Sequence, residues 1–520
     1  MKKVIYIALL LISCCFASCE YDLDINENPN SPTSTTPDLR LPPILNYAVD
    51  IWGSHGLRAG MLTQQVGTVR STSSRYGCLQ NWQFQNNADV YVWQSWYIYT
   101  WINIKKMYGE AEKTNAYHYI GVGKAIEAFG VGMLADAYGL ANYDQACMGV
   151  YLPKYQDTEY LYGKILATCD EAVDYLKMQQ PEAAPALSEG DIIYKGDTQQ
   201  WIKFVYAIKA RLLSHLTKKK AYNPTEVLAL IEKSFSSNAD DPDIPYTLSS
   251  ISNNNCINWQ NTSKDYFVGK LYTQYVLNTI PGDATKSWSS GVVDPRADYL
   301  LPKIEEGDLA GEYTGGVDVK NTEEPKADNP IYVGLTTPAP KVGRMYYTQG
   351  DTPFGVISYS ELLFIKAETL YRQSKKVEAL SAYKDAIKAN CQKIGVADDQ
   401  IAKFLASAAV AQSAEELTLT HIMTQKYITL IFSPETWTDM RRCDFCCDAT
   451  GKYNEEAGVY KGFDRPANVY KLNFPTDTSW PRRYQMSYVE RDYNKENLVE
   501  FGVYDNDYMT RPIWWDTPDK

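Results

Sequence analysis

The sequence predicts a mainly α protein of stacked tetratricopeptide-like helix pairs, with a large loop-rich region and few short strands. Apolar residues recur at three- and four-residue steps over most of the chain. Leu161, Ile165, Cys169, Ala172 and Leu176 form one stripe, and Trp201, Val205, Ile208, Leu212 and Leu216 another, the spacing that gathers side chains on one helix face. Between Ser360 and Asn390, Leu363, Ala367 and Leu370 are followed by Ala379, Tyr383 and Ala386. That is the spacing of a tetratricopeptide repeat, in which small alanines admit a close helix approach and the tyrosine fills the gap.

In chain order, Lys2 and Lys3 precede an apolar run from Val4 to Ala17, too short to span a bilayer and suited to an export signal. The run ends in Phe16-Ala17-Ser18-Cys19, the pattern cut by a lipoprotein signal peptidase. Residues 1–18 are therefore expected to be a signal peptide and Cys19 a lipid anchor, each buried methylene contributing about 0.8 kcal/mol. The alternative is an ordinary secretory peptide cut near Ala17 or Ser18, with Cys19 a spare thiol. Residues 19–43 are expected to form a tether or surface arm, because Asn, Pro, Ser and Thr dominate from Asn26 to Pro43 without apolar periodicity. Residues 44–520 follow as one helical domain, since no Pro/Gly/Ser linker divides them.

Within that domain the helix-pair scaffold is expected at about 100–236 and 357–435. One pair runs from Ile120 to Tyr138 and from Thr158 to Lys177, around a long loop. Another joins Gln199–Leu216 to Pro224–Phe235, where Asn223-Pro224 supplies a cap and a first-turn proline. Such pairs cannot bury their apolar faces alone and so stack. Pro, Gly, Asn and Asp break up about 66–92, 237–356 and 436–520, the parts expected to carry binding residues on a rigid frame.

A formal net charge of -12 argues against a nucleic-acid partner. Of eleven cysteines, Cys14, Cys15 and Cys19 belong to the signal region. The cluster Cys443, Cys446 and Cys447 lacks the soft ligands zinc needs, so a disulfide or plain buried thiols is expected, and no metal or cofactor. Gly121-Val122-Gly123-Lys124 resembles a phosphate loop, but His118 stands where an earlier glycine is needed and Ala125 where Ser or Thr is needed. It is expected to start a helix. His55, His118, His215 and His421 lie in no nucleophile signature, and His215, within a helical stripe, is expected to have a packing or surface role. No catalytic residue is assigned, although 63 acidic residues keep a two-carboxylate glycosidase as a rival.

The unusual feature is aromatic: 41 tyrosines and 12 tryptophans exceed what a helical core uses. Sugars stack their C–H faces on such rings while amides and charged groups bond their hydroxyls. Trp93, Trp96, Tyr97 and Trp101 have helical spacing and are expected to be core. Arg75, Tyr76, Asn81 and Trp82 in a polar loop, Asn254, Asn255 and Trp259 in a second, and Trp288 ahead of Asp294-Pro295-Arg296 are the ligand-binding candidates, against the plainer reading of turn formers and loop packing.

These residues together resemble the SusD/RagB family of nutrient-binding outer-membrane lipoproteins. The likeness comprises the lipobox ending at Cys19, the arm Asn28-Pro29-Asn30-Ser31-Pro32-Thr33, Ala135-Asp136-Ala137-Tyr138-Gly139 before Pro153-Lys154-Tyr155, and Gly196-Asp197-Thr198-Gln199-Gln200-Trp201. It continues through Asp294-Pro295-Arg296, Tyr359-Ser360-Glu361 to Glu368, Trp437 to Arg442 and Arg482-Arg483-Tyr484. The resemblance implies a non-enzymatic protein held on the outer membrane, facing outward, as the acidic stretch Glu20 to Asp24 also suggests. It implies a TonB-dependent, SusC-like transporter as partner and an oligosaccharide, or in some members a peptide, as ligand. It places that ligand near Tyr76 to Trp82 and Asn254 to Trp288. A surface glycosidase and a repeat scaffold that holds partner proteins are the other readings.

Overall fold

The structure, a computed structural model, describes residues 35–68, 78–83, 90–247, 255–257, 266–278, 290–301, 303, 310–311, 313 and 345–519. It opens with α1 (Pro37–Leu62), followed by α2 (Val90–Ser95), a π turn (Trp96–Trp101) and α3 (Ile102–Thr114). Then come α4 (Tyr117–Tyr138), α5 (Thr158–Lys177), α6 (Thr198–Ser214) and α7 (Pro224–Lys233). The middle holds α8 (Lys270–Leu277) and α9 (Ala297–Leu300), and the second scaffold half holds α10 (Tyr359–Arg372), α11 (Lys376–Ile394), α12 (Asp398–Leu405), α13 (Leu419–Thr429) and α14 (Glu435–Arg442). The last helix, α15 (Tyr488–Tyr493), sits in a long C-terminal run of turns.

The fold is mainly helical, and its helices stack in sequence. α4 lies along α5, α5 against α6, α6 against α7, and α10 packs on both α7 and α11, while α1 crosses α3, α4 and α14. Strands are short: β1 (Val66–Thr68) pairs antiparallel with β4 (Tyr266–Val268), and β2 (Leu140–Ala141) with β3 (Gln156–Asp157). Buried apolar residues from Leu41 to Trp515 form one cluster, so scaffold helices and C-terminal turns share a core.

Local chemistry sets the helix limits. Asp157 accepts from the Tyr160 N–H at the start of α5, Asp197 from Gln199 and Gln200 at α6, and Asn223 from Glu226 at α7, where Pro224 takes the first position. Such caps satisfy backbone donors that the helix leaves orphaned. The Gly121–Lys124 segment does lie in the first turns of a helix, and a Cβ on Gly121 would come within 2.7 Å of Leu176 Cγ. Close approach of α4 and α5, not phosphate binding, is what that glycine serves.

Two expectations are corrected. Residues 37–43, assigned to the arm on composition, are the first turns of α1. Pro37 sits at its start, and the ladder bonds lost at Pro42 and Pro43 are offset because Leu41, Ile44, Leu45 and Ala48 are buried. Arg40 also donates to Glu110 Oε2 at 2.7 Å and to Asn103 Oδ1 at 3.1 Å on α3. Trp93, Trp96 and Trp101 are core, as expected, with Tyr97 packed half-buried against it, but they do not share one regular helix: the chain widens into a π turn from Trp96 to Trp101. The five-residue interval puts both indoles inside, 6.1 Å apart and nearly parallel, and leaves Tyr99 outside, stacked on Tyr47 at 4.6 Å.

Charged residues of the family-like motifs are buried between helices. Arg211 on α6 meets both oxygens of Glu361 on α10, at 2.6 and 2.7 Å. Arg442 on α14 reaches Glu368 on α10 at 2.9 and 2.8 Å, and Asp439 at 2.5 Å, while Lys426 on α13 pairs with Asp439 at 2.8 Å. His215, just beyond α6, lies 2.8 Å from Glu435 and 3.3 Å from Asp136. Breaking one such pair costs about 3–5 kcal/mol because the other charge stays buried. These residues therefore lock the stack together.

Cys443, Cys446 and Cys447 are free thiols. Burial pushes Cys443 and Cys447 up to about 12 and Cys446 to about 11, so of the two alternatives the structure has the plain thiols. No helix among the described residues is long and apolar enough to cross a membrane.

Candidate functional site

Asn254, Trp259 and Trp288, with Arg75, Tyr76 and the anchor Cys19, lie outside the described residues. The remaining candidates, Asn81, Trp82 and Asn255, are buried. Trp82 and Asn255 were expected to face a ligand, and both are fully buried. Trp82 takes a left-handed backbone at the end of a short turn, φ 54°, which tucks its ring under the C-terminal loops. There it meets Trp480 at 5.5 Å and Phe474 at 5.6 Å, with the Arg465 guanidinium 5.6 Å from the ring. Asn255 donates to the carbonyls of Gln349 and Thr352, stapling the turn before α10. Asn81 is buried beside Trp82. Loop packing explains these three, because large rings and amides under irregular chain fill space and satisfy carbonyls that no ladder serves.

A ligand-sized hollow opens elsewhere. A cavity of about 720 Å³ lies between the C-terminal end of α8, the N-terminal end of α13, the turn 456–461 and Tyr383 of α11. Small-molecule sites run from roughly 300 to 1,000 Å³. Asn278 and Ser290 stand at its lip, and the Gly291 N–H donates to the Asn278 carbonyl at 3.1 Å.

The walls are fixed from behind. Tyr275 donates to the Lys461 carbonyl at 2.6 Å, and the Lys461 ammonium donates to the carbonyls of Glu455 and Glu456 at 2.5 and 2.7 Å. Gln425 on the floor accepts from Arg296. Arg296 is itself fully buried, forked onto Asp294 at 2.6 and 3.0 Å and bonded to Asn390 at 2.8 Å. The Asp294-Pro295-Arg296 motif is therefore the support behind the cleft floor, not a ligand contact. Gln425 accepts from Arg296 through its carbonyl oxygen, and the N–H2 of the same amide is a donor.

The start of α13 forms one rim. Thr418 and His421 cap each other: the His421 N–H donates to Thr418 Oγ1 at 3.3 Å, and the Thr418 N–H donates to His421 Nδ1 at 3.2 Å. Burial holds the His421 imidazole below its usual range. Neutral and accepting at Nδ1, it carries its proton on Nε2. Tyr383, expected only to fill the space between α10 and α11, is fully buried, 6.5 Å from Phe364 by ring centres. It also lines the cavity, and its hydroxyl has no partner. Glu456 is the one carboxylate among the described lining residues.

Asp136, His215 and Glu435 are the one grouping of metal-type side chains found among the described residues. Their geometry is that of an ion-pair clamp. Nε2 of His215 faces Glu435, while Nδ1 lies 2.8 Å from the Tyr162 oxygen, whose hydroxyl donates to Asp136 at 2.6 Å. Both ring nitrogens are thus committed to hydrogen bonds, which fits a buried imidazolium. Of the packing and surface roles open to it, His215 has the packing one.

Sequence reasoning missed Thr418, His421, Gln425 and Tyr383 as cleft residues. The Thr-x-x-His spacing signals a capped helix start, but nothing in it says that the start faces a hollow.

Comparison with known proteins agrees with this architecture. A family model described as "Starch-binding associating with outer membrane" matches residues 29–459. Among solved structures, a SusD/RagB family protein from Bacteroides thetaiotaomicron superposes with a TM-score of 0.67 at 20% identity, covering 94% of this chain and 100% of that one. A chitin-binding SusD homolog from Flavobacterium johnsoniae gives 0.71 at 18% identity, covering 93% and 99%, and a SusD homolog from Bacteroides fragilis gives 0.67 at 21%, covering 94% and 100%. No curated protein matches the chain. With its buried motif charges locking the same helical stack, and a family model matching over most of its length, the chain belongs to the SusD/RagB family of outer-membrane-associated proteins.

Proposed function

We propose that this protein is a surface lipoprotein, anchored through Cys19, that captures an oligosaccharide and delivers it to a TonB-dependent transporter without cleaving it. The observation that carries the reading is the cleft of about 720 Å³ on the α8–α13 side. Its walls mix apolar patches with hydroxyl and amide groups, as a sugar requires. The starch-binding description of the family and the chitin-binding name of one similar structure support a glycan over other nutrients. A glycosidase works with two carboxylates about 5–10 Å apart, whereas Glu456 is the one carboxylate among the described lining residues, which favours capture over cleavage.

Titration calorimetry against a panel of soluble oligosaccharides should give saturable binding to at least one class, with no new reducing ends after prolonged incubation. Silence towards every glycan together with binding of peptides would move the assignment to peptide capture. New reducing ends would make the protein a hydrolase. Cys19→Ala should release the protein from the membrane fraction, and a variant that stays there would refute the anchor.

A further inference from the structure

We infer that the loop 148–152, with Tyr493 and Val499 beside it, is the face by which this protein docks on the membrane-embedded transporter. This rests on the delivery part of the proposed function and gives it a surface. Met148, Val150, Tyr151 and Leu152 are all exposed, Tyr151 by 90%, and so are Tyr493 by 74% and Val499 by 56%. None of the six lines the cavity. The Asn494 amide donates to the Pro153 carbonyl at 2.8 Å and the Asn497 amide to the Leu152 carbonyl at 3.2 Å, which brings the two segments into one patch. The loop is held from behind as well, where the Met148 N–H donates to the Gln145 carbonyl at 3.3 Å and the Lys154 N–H to Gln145 Oε1 at 2.9 Å. So pinned, it keeps its apolar side chains in water, and an apolar patch of this kind marks an interaction site.

Composition points to a protein as the occupant. Val150, Leu152 and Val499 offer no ring for a sugar to stack on, whereas methionine and tyrosine inside a polar rim are enriched where proteins meet. Exposed Asp144, Asp492 and Glu496 flank the patch along the chain together with Lys154 and Lys495, so it lacks the basic face that an anionic lipid surface selects. Position then selects a partner in the membrane over a second copy of this chain. Thr35, sixteen residues after Cys19, donates to Glu110 of α3 at 3.2 Å. Sixteen residues reach at most roughly 55 Å, less than the roughly 60 Å width of a domain this size, so the side where the anchored segment arrives is turned to the membrane. Lys105, about 8 Å along α3 from Glu110, lies 6.0 Å from the ring centre of Tyr143. Tyr143 opens the stretch that runs into the exposed loop, so the patch and the arriving tether share that side.

The test puts benzoylphenylalanine, a photo-crosslinker, in place of Tyr151, of Tyr493 or, as a control, of the exposed Val377 on α11, in the full lipidated chain on intact cells. Illumination should join positions 151 and 493, and not 377, to one and the same membrane-embedded transporter, identified by mass spectrometry. Tyr151→Ser combined with Tyr493→Ser removes two aromatic anchors of the kind that dominate interfaces. That variant should lower uptake of the captured oligosaccharide by cells at least tenfold, while its Tm and the affinity of the purified protein for that oligosaccharide stay unchanged. Cross-links from 151 and 493 to a second copy of this chain, to lipid or to nothing overturn this inference and leave capture standing, as does unchanged uptake. Loss of glycan affinity in the double variant overturns it too, by placing the rings at a sugar. A wild-type protein silent towards every glycan overturns capture instead, and the cross-links still decide the docking face.

Discussion

His215→Gln should cost about 3 kcal/mol near neutral pH and progressively less as pH climbs past 9. Burial pulls the His215 imidazole down, but the carboxylates of Glu435 and Asp136 outweigh it and raise the group from 6.5 to about 9. At 1.36 kcal/mol per unit, that difference stabilises the folded state by about 3 kcal/mol. The sign follows from a folded value above the unfolded one. The contribution is complete below pH 6.5 and disappears as pH rises through about 9. Glutamine keeps a hydrogen bond but not the charge, so both carboxylates lose their imidazolium. For a chain of this size the gap in Tm should be roughly 3 °C at the low-pH end of that range. Thermal melts of both proteins from pH 6.5 to 10, followed by circular dichroism, read the difference, in which alkaline effects of other groups cancel. A gap constant over that range, or widening towards pH 10, would refute the imidazolium clamp.

Trp82→Ala should lower stability by about 3–5 kcal/mol, the usual cost of emptying a tryptophan site in a core, seen as an earlier denaturant midpoint. A variant with unchanged stability and lost glycan binding would instead place the ring at the ligand. Arg296→Met should cost about 3–5 kcal/mol because Asp294, also fully buried, keeps its charge. Adding Asp294→Asn should recover much of that loss, and a double variant no more stable than the single one would show that packing, not charge, is the term removed.

The scaffold was legible where pattern and cap agree. The stripes of α5 and α6, and Asn223-Pro224 before α7, announce helices because periodicity and end chemistry point the same way. Legibility failed where tertiary burial overrules composition. Pro42 and Pro43 argue against a helix locally, yet Leu41 and Ile44 bury the face they interrupt. The π turn has no spacing signature separate from an ordinary helix, since Trp96 and Trp101 are large at either period. The site was less legible still. Asn-rich and Trp-bearing loops promise ligand contacts, but Trp82 and Asn255 show the competing use, with a ring filling the space under a loop and an amide satisfying its carbonyls. Tyr383 reads in sequence as a spacer between helices, and that it also borders a hollow is a property of three-dimensional surroundings that no residue pattern encodes.

The buried charges and the cleft meet on α13. Towards its C-terminal end, Lys426 is held by Asp439 at 2.8 Å and Gln425 by Arg296, so the helix cannot rotate or slide without breaking a fully buried bond. Its other end, Thr418 to His421, is the rim of the cavity. Pairs of this kind add little net stability compared with apolar packing, since desolvation offsets most of their attraction. On the capture reading their value lies in position, because they fix the rim before a ligand arrives. The ordering cost that a flexible loop would meet on binding is then already met in folding. A glycan, which gains little from each hydroxyl exchanged with water, depends on that saving more than an apolar ligand does.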